Sequence, residues 1–236
     1  MILYVIRHGD PDYSIDNLTP LGKRQAEAVG RRLASAGIDR IFSSPLGRAK
    51  ATAAPLCEML HMELKVEDWL SEQLAWDDIS APDSEGRVNF IYNGNPSSLF
   101  KTDGLLNASA DDFDSSDASC GVSVVKALKR VGPESDRLLS GLGYTRTSKA
   151  LYKASPGSEE RVAVFCHEGA GMLWMSYLLG MPPHIFWSSF AFTHTSVSIF
   201  HFEPKGITSA RCLALCDTSH LYAERLPLRH NNRIEY

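Results

Sequence analysis

The sequence has little of what would mark a chain as fibrous, secreted or membrane-bound. Its charge is nearly balanced, with 24 basic residues against 28 acidic ones and a net charge of −4. That balance carries no electrostatic footprint for nucleic acid or an anionic membrane, so neither is expected as a partner. Cysteine is sparse: Cys57, Cys120, Cys166, Cys212 and Cys216 form an odd set without framework spacing, which points to free thiols in a reducing compartment. Cys212 and Cys216 sit four apart in an apolar run, but no second Cys/His pair at zinc-like spacing accompanies them. They read as small core residues. The start, Met-Ile-Leu-Tyr-Val-Ile, lacks the basic region, longer apolar stretch and small-residue cleavage site of a secretory signal. The longest run free of Asp, Glu, Lys and Arg, 169–202, is broken by Gly180, Pro182-Pro183 and His184, so no apolar helix of ~20 residues fits inside it. It reads as buried core, and the protein as cytoplasmic.

What is present is an ordinary globular composition, 44% hydrophobic over 236 residues, with no internal repeat and no linker dividing the chain. One domain over residues 1–236 is expected. Ile2 to Ile6 and Arg161 to Cys166 are continuous apolar runs that suit buried strands of a parallel sheet. Thr19-Pro20 starts a helix that stops near Gly37, and Arg40 to Ser43 is a second short strand. Ser44-Pro45 starts another helix running to about His61, and Leu64 to Glu67 is a third strand. Strand, helix, strand, helix, strand predicts an α/β layered fold: a central mostly parallel sheet with helices on both faces.

From Gln73 to Ser123 the periodicity collapses. Nine acidic residues (Asp77, Asp78, Asp83, Glu85, Asp103, Asp111, Asp112, Asp114, Asp117) face two basic ones (Arg87, Lys101), a local charge of −7. The segment reads as a solvated insertion and as a lid over a site. Val122 to Leu142 reads as a helix kinked at Gly132-Pro133, and Tyr144 to Lys153 as a small hairpin. A helix opens at Gly169 and ends near Gly180; Ser196 to Phe202 is a strand that turns at Pro204-Lys205-Gly206 into a partner at Ser209 to Leu215.

Two histidines, His8 and His167, follow predicted buried strands, at the sheet edge where open α/β folds bind ligands. Each is followed closely by glycine and a loop or helix start, where free backbone N–H groups can face an anion. Arg7 adjoins the first histidine and Arg48 lies on the first turn after the second strand. Two guanidinium forks and two imidazoles make a receptor for a phosphoryl group.

Arg7-His8-Gly9 resembles the Arg-His-Gly signature of the histidine phosphatase superfamily, the phosphoglycerate mutase-like proteins. The resemblance continues through Leu18-Thr-Pro-Leu-Gly-Lys-Arg-Gln-Ala26, Ser43-Ser-Pro-Leu-Gly-Arg-Ala49, Leu70-Ser-Glu72 and Val164-Phe-Cys-His167, four further blocks in family order. It implies His8 as the nucleophile forming a phosphohistidine, with Arg7, Gly9, Arg48 and His167 binding the phosphoryl oxygens. Glu72 matches the proton donor, and Asp10, Asp77 and Asp78 stand close enough in sequence to be alternatives. The chain departs from the family at Asp10, where many members have Glu, and at Ser14, where many have Asn; Asn17 is displaced from that position. The resemblance implies no cofactor, a small phosphate ester as substrate and no metal. It also suggests a homodimer, with Trp187 and Phe190 as exposed apolar candidates. The longer stretch of dedicated mutases after Arg-His-Gly is missing, which favours a metal-independent phosphatase. A mutase, a phospho-ligand-binding module without turnover and a metallohydrolase on His8 and His167 are the alternatives. The flanking arginines argue against the last, because they repel a bound cation.

Overall fold

The structure, a computed structural model, describes residues 1–83, 85–93, 105 and 107–228. The chain opens with β1 (Ile2–Arg7), a hairpin of β2 (Pro11–Asp12) and β3 (Asn17–Leu18), α1 (Pro20–Ala36), β4 (Arg40–Ser43), α2 (Gly47–Leu60) and β5 (Leu64–Val66). Helix α3 (Glu72–Ile79), the hairpin β6 (Ser80–Pro82) and β7 (Val88–Phe90), and helices α4 (Ala110–Asp114) and α5 (Val124–Ser140) follow. The rest comprises β8 (Tyr144–Ser148), β9 (Leu151–Ala154), β10 (Arg161–Cys166), α6 (Glu168–Leu179), α7 (Pro183–Ser189), β11 (Val197–His201), β12 (Gly206–Ser209), β13 (Arg211–Asp217) and α8 (Ser219–Ala223).

Six strands form the central sheet in the order β13-β11-β1-β10-β4-β5. The four from β1 to β5 run parallel, while β11 pairs antiparallel with both β1 and β13. The side-chain period of two sorts the apolar residues of each strand between two cores. Leu3 and Val5 of β1 and Val162 and Val164 of β10 pack with α3, α5 and α6. Ile6, Ala163 and Phe165 pack on the other face with Val29 and Leu33 of α1 and Ala53 and Leu56 of α2. Helices therefore cover both faces, as the apolar strand runs require.

Local chemistry explains the helix ends. Thr19 caps α1 by accepting from Gly22 N at 3.0 Å, Pro20 takes the first turn, and Gly37 ends the helix at φ 73°. Helix α2 starts at Gly47 rather than at Ser44-Pro45, with no side-chain cap on its N-cap residue Leu46. Ser44 Oγ accepts from Leu46 N at 3.3 Å and also lies 2.7 Å from His167 Nε2, so its hydroxyl serves the entry to the helix and the histidine together. Asp16 substitutes from the β2–β3 hairpin, its Oδ2 accepting from Gly47 N at 2.6 Å.

Several expectations are corrected. The stretch 73–123 is not aperiodic throughout: it begins inside α3, whose Ala75 and Ile79, four apart, bury one face. Of the lid expected there, residues 84, 94–104 and 106, including Lys101 and Asp103, lie outside the described residues, as does the tail 229–236 of the expected single domain. The return from β11 to β13 is not a simple turn, because β12 leaves to pair with β9 in a second sheet, β12-β9-β8. Cys212 is exposed and Cys216 only partly buried, since β13 is an edge strand; all five cysteines are free. Trp187 is buried at 4% exposure, leaving Phe190 as the exposed member of the pair. Among the described residues, no helix is long and apolar enough to cross a membrane.

The loop after β1 is pressed onto α1 through two glycines. A Cβ at Gly22 would lie 2.1 Å from Asp10 O, and one at Gly9 would lie 2.7 Å from Gly22 O. Both neighbours are backbone, so neither side can yield without moving the loop. Gly22→Ala is expected to destabilise the protein by about 2 kcal/mol, read from the midpoint of urea unfolding at unchanged slope.

Candidate active site

Register puts the site together. Arg7 pairs with Cys166, and Phe165 with Ser43, so three parallel strands end level. The residues that follow, His8, His167 and Ser44, therefore converge at the carboxyl edge of the sheet. His8 N donates to Cys166 O at 2.9 Å, and the two imidazole centroids stand 5.0 Å apart.

His8 is 2% exposed. Its Nδ1 lies 2.7 Å from Gly9 O, an acceptor only, so Nδ1 carries the proton and Nε2 keeps its lone pair. Arg48 Nε donates to that Nε2 at 3.4 Å. Burial, then the charges of Arg7 and Arg48, hold the His8 pKa well below the ordinary value. The ring is neutral at pH 7, and its unprotonated Nε2 faces Arg48. His167 is lowered likewise, by burial and then by His8, Arg48 and Arg7.

The guanidiniums are held from behind. Arg7 donates to Phe192 O and pairs with Glu168 at 3.3 Å. Arg48 pairs with Asp16 at 2.6 Å, and Tyr13 lies under its guanidinium at 5.3 Å. Arg7 Nε and His167 Nδ1 are buried with no protein partner among the described residues. The unfilled Nε donor of Arg7, a residue that lines the cavity, suits a ligand rich in acceptor oxygens.

Glu72 opens α3, and its carboxyl reaches the first turn of α6. Oε1 and Oε2 accept from Gly169 N and Ala170 N, each at 2.9 Å. Burial raises its pKa above the ordinary carboxyl value, with Glu168 adding to the rise, against the lowering by those two N–H groups. The free helix N-terminus expected after His167 is thus already filled by a carboxylate of the protein itself. Arg7, His8, Arg48, Glu72 and Glu168 all line one cavity of about 420 Å³.

The other candidates are placed elsewhere. Gly9 N donates to Thr52 Oγ1 at 2.9 Å, so it serves the approach of the loop to the helices rather than an open anion site. Asp10 accepts from Thr19 Oγ1 at 2.6 Å and ties the loop to the α1 cap. Asp78 is buried in an ion pair with Arg130 at 2.6 Å, and Asp77 is bound by Gln73 on the exposed side of α3. Asn17 caps its own neighbour, Leu18 N. Sequence reasoning missed Asp16, Glu168, Tyr13 and Trp76. Glu168 carried a signal in being the acid directly after His167; the others carried none, because only the fold brings them to the rim.

A profile for "Histidine phosphatase superfamily (branch 1)" matches residues 3–85 and 144–213, skipping most of the segment read as a lid. The chain belongs to this superfamily. Over 79 residues the chain is 37% identical to "Putative phosphoserine phosphatase 2" of Hydrogenobacter thermophilus, covering 30% of the chain and 39% of that protein. It is 33% identical to "Probable phosphoglycerate mutase GpmB" of Proteus mirabilis, again over 79 residues, 30% of the chain and 37% of that protein. The matched stretch thus spans under two fifths of the length of these curated relatives. A solved phosphoserine phosphatase from Entamoeba histolytica superposes with a TM-score of 0.60 at 20% identity, covering 93% of the chain and 98% of that structure. That likeness is one of fold.

His8, His167 and His220 are buried with lowered pKa values, that of His220 to about 4, chiefly by burial. In the unfolded chain these rings take up protons near the ordinary value of 6.5, whereas in the folded chain they stay neutral. Their contribution is complete above pH 6.5 and is lost as pH falls below it, for His220 down to about pH 4. Urea midpoints measured from pH 7 down to pH 5 are expected to fall, and less steeply in His220→Gln.

Proposed function

We propose that this chain is a phosphomonoester hydrolase that acts on a small phosphorylated metabolite through a phosphohistidine on His8. The observation that carries the reading is the His8 tautomer. A neutral ring with Nδ1–H on Gly9 O leaves Nε2 unprotonated beside Arg48, as an attack on phosphorus requires.

In the first step His8 Nε2 bonds to phosphorus while the ester P–O bond breaks. Arg7, Arg48 and His167 hold the phosphoryl oxygens and stabilise the charge spread over them in transfer, which is most of phosphoryl-transfer catalysis. Gly9 supports this by fixing the His8 tautomer through its carbonyl oxygen. The departing alkoxide takes a proton from Glu72, whose pKa burial raises above the ordinary carboxyl value. In the second step a water attacks the phosphohistidine, Glu72 takes the proton of that water, and phosphate leaves with His8 restored. The described part of segment 73–123 acts as a lid within one domain, since β7 and α3 contribute Phe90 and Trp76 to the cavity. The five free thiols support a cytoplasmic setting. The two arginines supply the positive charge a metal would otherwise bring, so turnover is independent of added metal.

A mutase reaction, the activity in the name of one relative, would use the same residues of this chain, with a second substrate hydroxyl replacing water. Phosphate release from a phosphomonoester without isomerisation separates the two. His8→Ala is expected to abolish both turnover and the acid-labile phosphoenzyme, and activity is expected to survive a chelator. Retained turnover in His8→Ala would remove the mechanism. Glu72→Gln is expected to slow alkyl phosphates at least ~10²-fold more than aryl phosphates, because a phenoxide departs without a proton and an alkoxide does not. An equal loss on both, read by steady-state kinetics, would assign Glu72 to binding instead.

A further inference from the structure

The part of the cavity beyond the phosphoryl group has a chemistry of its own. Trp76 lies four residues after Glu72 on α3, one turn along the same face, so it lines the cavity on the side of the proton donor. Phe90 meets Trp76 edge-to-face with centroids 4.9 Å apart, and it stacks on the buried Tyr92 at 5.1 Å and 10°. The tip of the Phe90 ring sits over the first turn of α6: a Cβ at Gly169 would be 2.8 Å from its Cζ. Gly169 is the residue whose N–H holds Glu72 Oε1. The aromatic shelf and the group that protonates the leaving oxygen are therefore neighbours. Tyr13 and Leu46 line the cavity as well, with two uncharged amides, Gln73 and Asn93.

The charges favour the same reading. Among the described residues lining the cavity, the cations are Arg7 and Arg48, and each already faces a carboxylate, Glu168 at 3.3 Å and Asp16 at 2.6 Å. Glu72 and Glu168 themselves line the cavity. A second anionic group on the substrate would be desolvated against aromatic faces and repelled by carboxylates, with no further cation among the described lining residues to receive it.

We propose that the aromatic shelf of Trp76 and Phe90 beside Glu72 is a leaving-group subsite for uncharged aryl or arylalkyl alcohols, and that it selects against phosphate esters bearing a carboxylate. The inference rests on the hydrolase reading and narrows its substrate class. It separates this chain from the substrate named for its phosphoserine-type relatives, which carries a carboxylate.

The test uses the purified full chain on benzyl phosphate, ethyl phosphate, O-phosphoserine and 3-phosphoglycerate. Benzyl alcohol and ethanol are of similar acidity, so their esters differ in the ring rather than in leaving ability. kcat/KM for benzyl phosphate is expected to exceed that for each of the others at least about tenfold. Trp76→Ala should bring the benzyl-to-ethyl ratio close to one. Should that variant fail to fold, Tyr13→Ala at its 64% exposed position should lower the ratio about threefold. Faster turnover of either carboxylate ester, or an unchanged ratio in a folded variant, would overturn the subsite. If no ester is turned over, the hydrolase reading fails and the subsite is judged by affinity alone, using benzylphosphonate, methylphosphonate and phosphonoacetate in calorimetric titration. Tightest binding of benzylphosphonate supports it; tightest binding of phosphonoacetate overturns it.

Discussion

Everything at the site hangs on the pairing of β1 with β10. These strands are separated by over half the chain, yet their parallel register sets Arg7 opposite Cys166. One residue further on, two imidazoles stand 5.0 Å apart in a region with almost no access to water. A slip of one residue would send His8 to one face and His167 to the other, because side chains alternate along a strand. The register is protected by burial on both faces: Leu3, Val5, Val162 and Val164 fill one core, while Ile6, Ala163 and Phe165 fill the other.

Placing two buried histidines and two buried arginines together sets up a conflict of like charges. The molecule resolves it by keeping both rings neutral and by backing each arginine with a carboxylate. Breaking the buried Arg7–Glu168 pair would be costly, because the remaining charge is left uncompensated. Asp16 and Glu168 thus hold the guanidiniums in place before any ligand arrives, which is what preorganised stabilisation of a charged group requires. The same logic holds Glu72, whose two oxygens are fixed by consecutive backbone N–H groups of α6.

The neighbourhood is also tight. Gly9, Gly22 and Gly169 all lie where a Cβ would fall within 2.8 Å of a neighbouring atom, in each case at a contact that brings a loop or ring against a helix. The strand-end loop, the first turn of α6 and the aromatic shelf are therefore coupled by packing as well as by hydrogen bonds. A shift of the loop that carries His8 would be felt at the N-terminus of α1, and a shift of Phe90 at the residue that holds Glu72.

Local chemistry alone dictated the strongest elements. Continuous apolar runs ending in Arg7-His8 and Cys166-His167 specify buried strands with a histidine at their carboxyl ends, and Thr19-Pro20 with Gly37 specifies both ends of α1. These signals are legible because burial and capping act within a few residues. Strand order was not legible, because β10 inserts between β1 and β4 and no nearest-neighbour pattern encodes that. Nor was the full use of Ser44, whose hydroxyl accepts from Leu46 N before α2 and also meets His167, a partner that arrives from 123 residues away. The roles of Asp10, Asp78 and Glu72 likewise look alike in sequence, as three acids near the right blocks. Partners supplied by α1, α5 and α6 distinguish them: a cap, an ion pair and a carboxyl aimed at the site. A residue type states which bonds it can make, and the fold decides which partner comes within 3 Å of it.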